Sequence, residues 1–391
     1  MSVRRPRALL AALGAVAAAV GLAVPASPEP PRPPTARCER VVLVVLGGGV
    51  RSQEMLRRPD LVPTLAAIRA AGFGSDGWTA GGADPTDATK AILCGRTVPV
   101  ATPGRVRPAW PTLLECVRKD RGLGPDAAWF ASFADGEALD LGSSDHPDFG
   151  PSFWPRLAYG EGPFGEPLRG LFRLFGRPNP TTDRTWAHLA TLRAVTAKAS
   201  SARGIGAGPA ALPEALRLER ALLEEVDRRA ADLGGAAPLD ARAVRAGITV
   251  LRVFRPTLLV IRLGQADAGR ASVAAYEEVL RRNDAEIGRL RATIAADPVL
   301  ARSTALVVTA DLGRDAQRNA EGGYGRTDGS PEQTTVAVVG EGPGLARGAT
   351  PRGPHATKDL APTLARLLGA AMPAAVGDPA AGVVREELLS R

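Results

Sequence analysis

Two aspartates stand where short apolar runs give way to turns, and each has an arginine close behind it. Asp267-Ala268-Gly269-Arg270 follows the run Thr257–Arg262, and Asp311-Leu312-Gly313-Arg314-Asp315 follows Ala305–Thr309. Carboxylates in such positions can hold a divalent cation. Two alone make a weak, hydrated site suited to magnesium or calcium, because zinc held for catalysis takes about three protein ligands and an open position. The other reading is an ion pair with Arg270 or Arg314 and no cation. Of the three histidines, His146 falls in a long loop, His188 in a helical stretch, and His355 ahead of the last helix, where it either ligates metal or stays at the surface. Gly47-Gly48-Gly49 has the glycines of a phosphate loop but no Lys-Ser/Thr after them, so a tight turn is expected.

The elements that must position these groups are legible as apolar runs. Val41–Leu46, Ala127–Ala131, Thr257–Arg262, Ala305–Thr309 and Thr335–Val339 are short and often β-branched, as strands buried on both faces are. Tyr276, Val279, Leu280, Asn283, Ile287 and Leu290 recur at helical spacing, and Asp359–Leu368 reads as a last helix with Pro362 in its first turn. Strands alternating with helices predict an α/β fold, a three-layer α/β/α sandwich on a mostly parallel sheet. In such sheets ligands gather at the carboxyl ends of the strands, which puts Asp267 and Asp311 on one rim. Residues 135–245 read as a cap or insert: a Gly-, Pro- and Phe-rich loop, then a helical part with Pro213 and Glu214 opening one helix and Gly234 ending it.

In this order the segments resemble the alkaline phosphatase superfamily, especially its sulfatase-like and phosphodiesterase-like branches. The resemblance covers most of residues 41–134 and 246–370. It implies a first strand ending in Asp-Gly-x-Arg, a nucleophile opening a helix that ends in a Thr-Gly-Arg-like turn, later strands ending in Asp-x-x-His and Asp-His-Gly, a further histidine, and two divalent metals. Here Gly49, Val50 and Arg51 match the first turn, but Gly48 stands in place of the aspartate. Gly95 and Arg96 match the turn after the nucleophile helix, and counting back leads to Pro85 and Thr86. Arg270 and Leu312 replace two histidines, and no histidine stands near Tyr324 or Gly329 for the third.

The resemblance therefore leaves Thr86 as candidate nucleophile and Asp267 and Asp311 as residual metal ligands. A plainer reading of Thr86 is a first-turn residue behind an Asp84 cap and Pro85. With the metals gone, arginine charge would stand in for metal charge. The expectation is an exported pseudoenzyme, a binding or scaffold protein of the cell envelope with no cofactor, or at most a weakly held divalent metal. Its partner would be an anionic small molecule held by Arg51, Arg270 and Arg314, or an envelope protein docking on the insert. The alternative is an active phosphoric- or sulfuric-ester hydrolase with a rebuilt site on Thr86, Asp267 and Asp311; a transferase of phosphate-bearing groups ranks last.

The N-terminal segment agrees with export. Arg4, Arg5 and Arg7 precede an apolar run from Ala8 to Val24 and a small-residue exit at Ala26, so residues 1–26 read as a signal peptide, with an uncleaved anchor as the alternative. A proline-rich tether, 27–38, leads to the main domain, 39–375, and a tail, 376–391. No second run is long enough to span a bilayer. The net charge is +8, but all but four of the 49 basic residues are arginines spread along the chain without interleaved aromatics, which argues against nucleic acid. Cys94 and Cys116 could pair in an oxidising compartment, leaving Cys38 odd.

Overall fold

A run of six buried residues, Val41–Leu46, forms most of the innermost strand, β1 (Arg40–Leu46). Each such Val or Leu stabilises the fold by about 1.5–3 kcal/mol through burial. A computed structural model of the protein describes residues 36–82, 84–97, 107–132, 137–158, 237–327, 329–373 and 377–390, all within the unit Pro34–Arg391. The expected signal peptide, residues 27–35 of the tether, and most of the insert with His188 lie outside the described residues.

The sheet has seven strands in the order β2-β7-β6-β1-β5-β3-β4. They are β2 (Phe73–Thr79), β3 (Ala128–Ala131), β4 (Arg156–Ala158), β5 (Leu258–Leu263), β6 (Thr304–Ala310) and β7 (Thr335–Glu341) beside β1. β1 runs parallel to both neighbours, with Val45 opposite Arg262 of β5 and Thr309 of β6. β3 and β4 continue the parallel set, and β7 alone runs against its neighbours β6 and β2. The five expected strands are all present within two residues. Two others were not expected. β2 reads FGSDGWT, in which two glycines and an aspartate mask the strand signal, and its register slips between Ser75 and Trp78. β4 has three residues and falls inside the segment read as an insert.

Helices cover both faces, as the mostly parallel sheet requires. On one side lie α1 (Ser52–Arg57), α2 (Pro63–Ala71), α5 (Leu239–Phe254) and α6 (Val273–Ala296); on the other α3 (Pro85–Cys94), α4 (Leu113–Asp120) and α7 (Leu360–Leu367). Local chemistry sets their ends. Asp84 accepts from the Thr86 and Asp87 amides at 2.7 and 3.0 Å, Pro85 opens α3, and Gly95 closes it at φ 64°. Thr112 and Glu115 form a capping box on α4. Asp284 of α6 accepts from Thr64 and Leu65 at 2.9 Å, so one helix caps another and their relative placement is pinned. Residues 377–390 run back over the core: Gly382 donates to the Gly95 carbonyl, and Leu388 and Leu389 are buried. No described helix is long and apolar enough to cross a membrane.

Candidate functional site at the carboxyl ends of β1, β5 and β6

The three central strands deliver their carboxyl ends to one place. β1 exits through Gly48 and Gly49 at φ 90° and 88°, a conformation that L side chains rarely adopt. This turn wraps Asp311, which follows β6 and is fully buried. The Asp311 carboxylate accepts from the Gly48, Gly49 and Leu312 amides at 3.0, 3.1 and 2.6 Å. Arg262, inside β5, lies 3.9 Å from it. Burial pushes the Asp311 carboxyl up to about 6, with Arg262 and the amides pulling the other way.

Asp267 sits in the short 3-10 turn Gln265–Arg270 after β5. A buried carboxylate from α5 anchors that turn: Asp240 accepts from Gly264 at 2.7 Å, from Gln265, and from the Asn283 side chain at 2.8 Å. The loop that carries Arg326 is sewn to the same turn. Tyr324 donates to the Gly269 carbonyl and Asn319 to that of Arg270, both at 2.8 Å. Asp315 holds the loop's other end through Thr327 and Ser330.

Three arginines converge on Asp267, at 2.9 Å for Arg326, 3.4 Å for Arg270 and 3.5 Å for Arg314. Arg314 has no solvent exposure. Its guanidinium donates to the carbonyls of Gly49 at 2.8 Å, Tyr324 at 2.9 Å, Ala266 at 2.8 Å and Gly48. A cation thus sits between the β1, β5 and β6 exits, held by main-chain oxygens from all three exit loops. Burial lowers the pKa of Arg314 and of Arg326, offset in part by Asp267.

The two-metal centre implied by the resemblance does not fit these residues. Asp311 is enclosed by amides and Arg262, Asp267 is shared among guanidiniums, and no group of three or more His, Cys, Asp or Glu side chains among the described residues could hold a metal ion. A Cβ at Gly48 would stand 2.7 Å from the Asp267 amide nitrogen and 3.0 Å from the Gly264 carbonyl, so the turn has no room for the missing aspartate.

The sequence-derived residues are distributed unevenly. Asp267, Asp311, Arg270 and Arg314 meet at the rim. Arg51 is turned to local partners: it stacks 4.3 Å from the centre of the Tyr324 ring, pairs with Glu54 at 3.5 Å and donates to Gln53 at 2.9 Å. Thr86 occupies the first turn of α3, its amide capped by Asp84. From α3 it is the Thr89 hydroxyl that meets this group of residues, accepting at 3.3 Å from Arg262, the arginine that lies 3.9 Å from Asp311. His355 has both ring nitrogens 3.0 Å from carbonyls, those of Gly353 and Asp76, and an edge contact with Trp78. Cys38, Cys94 and Cys116 are buried free thiols, so Cys94 and Cys116 are not paired here.

Sequence reasoning missed Arg262, Arg326 and Thr89. Arg262 carried a usable signal, since a charge inside LLVIRL must find a partner when the strand is buried. Arg326 carried none, because its loop folds onto Asp267 only through long-range contacts.

No known family profile matches the sequence, and no curated protein sequence does either. Solved structures match by shape. Wild-type alkaline phosphatase PafA superposes with a TM-score of 0.57 at 10% identity, covering 91% of this chain and 100% of that one. The lipoteichoic acid synthase LtaP from Listeria monocytogenes gives 0.54 at 11% identity, covering 93% and 79%. The fold is therefore alkaline-phosphatase-like.

Proposed function

We propose that this chain is an exported, non-hydrolytic member of the alkaline-phosphatase-like fold that works as a binding or scaffold protein at the cell envelope. What carries the reading is Arg314: a fixed guanidinium, itself just after β6 and bonded to the exits of β1 and β5 and to Tyr324 in the loop that follows β6, occupies the place where strand ends would present metal ligands. A fixed cation of this kind supplies positive charge but has no open coordination position and cannot activate a water or hydroxyl. Asp311, wrapped by three amides, has no lone pair turned to solvent, which supports the same reading. Export rests on the Arg4, Arg5 and Arg7 cluster and the apolar run behind it.

The test is turnover. Purified protein would be assayed on aryl phosphate, aryl phosphodiester and aryl sulfate, with and without added zinc, manganese, magnesium or calcium. The reading predicts no hydrolysis above that of an Arg314→Met control; metal-stimulated turnover lost in Thr86→Ala would establish the rebuilt hydrolase instead.

A further inference from the structure

At the amino end of β6, opposite the rim, lies an open groove of about 670 Å³. The length of β6, on the order of 20 Å, separates the two. The walls of the groove are helices α2 and α6. They touch near Gly288, where a Cβ would stand 2.9 Å from the Thr64 hydroxyl, and Asp284 caps α2 one turn earlier. Further along, the lining residues are small: Ala67 and Ala71 on one wall, Ala292 and Ala295 on the other. Alanines there leave space that larger side chains would fill, and the volume falls within the range of small-molecule sites, about 300–1,000 Å³.

Two polar groups of the groove are unanswered. Thr304 and Leu306, two positions apart in β6 and so on one face of the strand, form the floor. Thr304 is 3% exposed, and its hydroxyl is buried without a hydrogen-bond partner among the described residues. A buried hydroxyl in that state is costly until something bonds to it. Arg347, on the open side, is exposed, and its guanidinium makes no hydrogen bond or ion pair with another described residue. The remaining charged lining residues cancel: Arg291 holds Glu341 through two bonds, at 2.7 and 2.9 Å.

We infer that this groove binds a medium-chain carboxylic acid: the chain lies against the alanines and Leu306, a hydroxyl or carbonyl on the chain meets Thr304, and the carboxylate meets Arg347. One free guanidinium answers one negative charge, and its planar fork matches a carboxylate. The site is separate from the rim and stands whether or not the rim hydrolyses anything.

The experiment is calorimetric titration of the intact protein with sodium 8-hydroxyoctanoate, sodium octanoate, 1-octanol and sodium acetate at constant ionic strength. One-to-one binding of both longer acids is expected, with the hydroxy acid tighter than octanoate, the alcohol weaker and acetate undetected. Ala292→Leu, at an exposed helix position, should fill the groove and abolish binding without loss of stability. Arg347→Gln should weaken both acids about tenfold, the value of a charge-assisted hydrogen bond, and leave octanol unchanged. Thr304→Val should weaken the hydroxy acid about fivefold, leave octanoate unchanged, and leave the thermal midpoint of the free protein unchanged or higher. A hydroxyl with only a structural role would instead give a lowered midpoint and no selective loss. Arg57→Gln, on an exposed arginine of α1, should leave binding unchanged. No binding of either acid at millimolar concentration, or equal binding by wild type and Ala292→Leu, would overturn the assignment. So would a wild-type dimer that Ala292→Leu dissociates, since it would seat a second copy in the groove.

Discussion

Arg314 and Asp267 stand 3.5 Å apart with opposite exposure: the guanidinium is fully buried and the carboxylate half open to water. Their pairing is thus not a symmetric buried salt bridge. Main-chain carbonyls of Gly48, Gly49, Ala266 and Tyr324 do most of the work of holding the cation, and Asp267 lends charge from the solvent side.

Arg314→Met should therefore destabilise the protein by about 3–5 kcal/mol, because it strands four carbonyls in a dry site. Arg270→Met, at a half-exposed position, should cost less than about 1 kcal/mol. Arg314→Lys should recover less than half of the loss, since an ammonium cannot span the same four acceptors. Denaturant melts with matching slopes would measure all three; equal losses for Arg314→Met and Arg270→Met would contradict the account.

Restoring an aspartate at the first turn should not restore a metal site. Gly48→Asp forces a side chain onto a residue at φ 90° and places its Cβ against the Asp267 amide. The expected cost is about 2–4 kcal/mol of strain and displacement. A thermal melt should show a lowered midpoint that zinc or manganese does not raise.

What was legible beforehand divides along the range of the contacts. β1, β5 and β6 declared themselves through uninterrupted Val, Leu and Ile, which can be satisfied only by burial on both faces. Asp267 and Asp311 were legible as strand-end carboxylates, and their arginine neighbours Arg270 and Arg314 lie in the same turns. Arg326 lies 59 positions after Asp267 in the numbering, and its approach depends on Asp315 fixing its loop. β2 was hidden by the glycines that permit its bulge, although Phe73, Ser75 and Trp78 are buried on it.

Asp311 should give the protein a distinctive acid response. A carboxyl whose native pKa, about 6, lies above its unfolded value binds its proton more tightly in the folded state. Its contribution is fully present below the unfolded value and is lost as pH rises through the native one. The stability of wild type minus that of Asp311→Asn should fall by on the order of 2 kcal/mol between about pH 4 and pH 7. A flat difference across that window, measured by urea unfolding, would show that the three amides keep the group ionised throughout.

The first turn of α3 separates capping from chemistry. Asp84→Ala removes the acceptor for the Thr86 and Asp87 amides and should cost about 1 kcal/mol, while Thr86→Ala should change stability by less than about 0.5 kcal/mol. Thermal melts of the two variants would rank them; a larger loss for Thr86→Ala would place its hydroxyl in a role that the cap does not explain.

The central claim is that guanidinium charge has taken the place of metal charge at this rim. Elemental mass spectrometry on protein purified without chelator tests it most directly. The account predicts far less than one zinc or manganese per chain, unchanged in Asp311→Ala. Near-stoichiometric metal that disappears in Asp311→Ala would contradict it and require that Asp311 leave its amides to become a ligand.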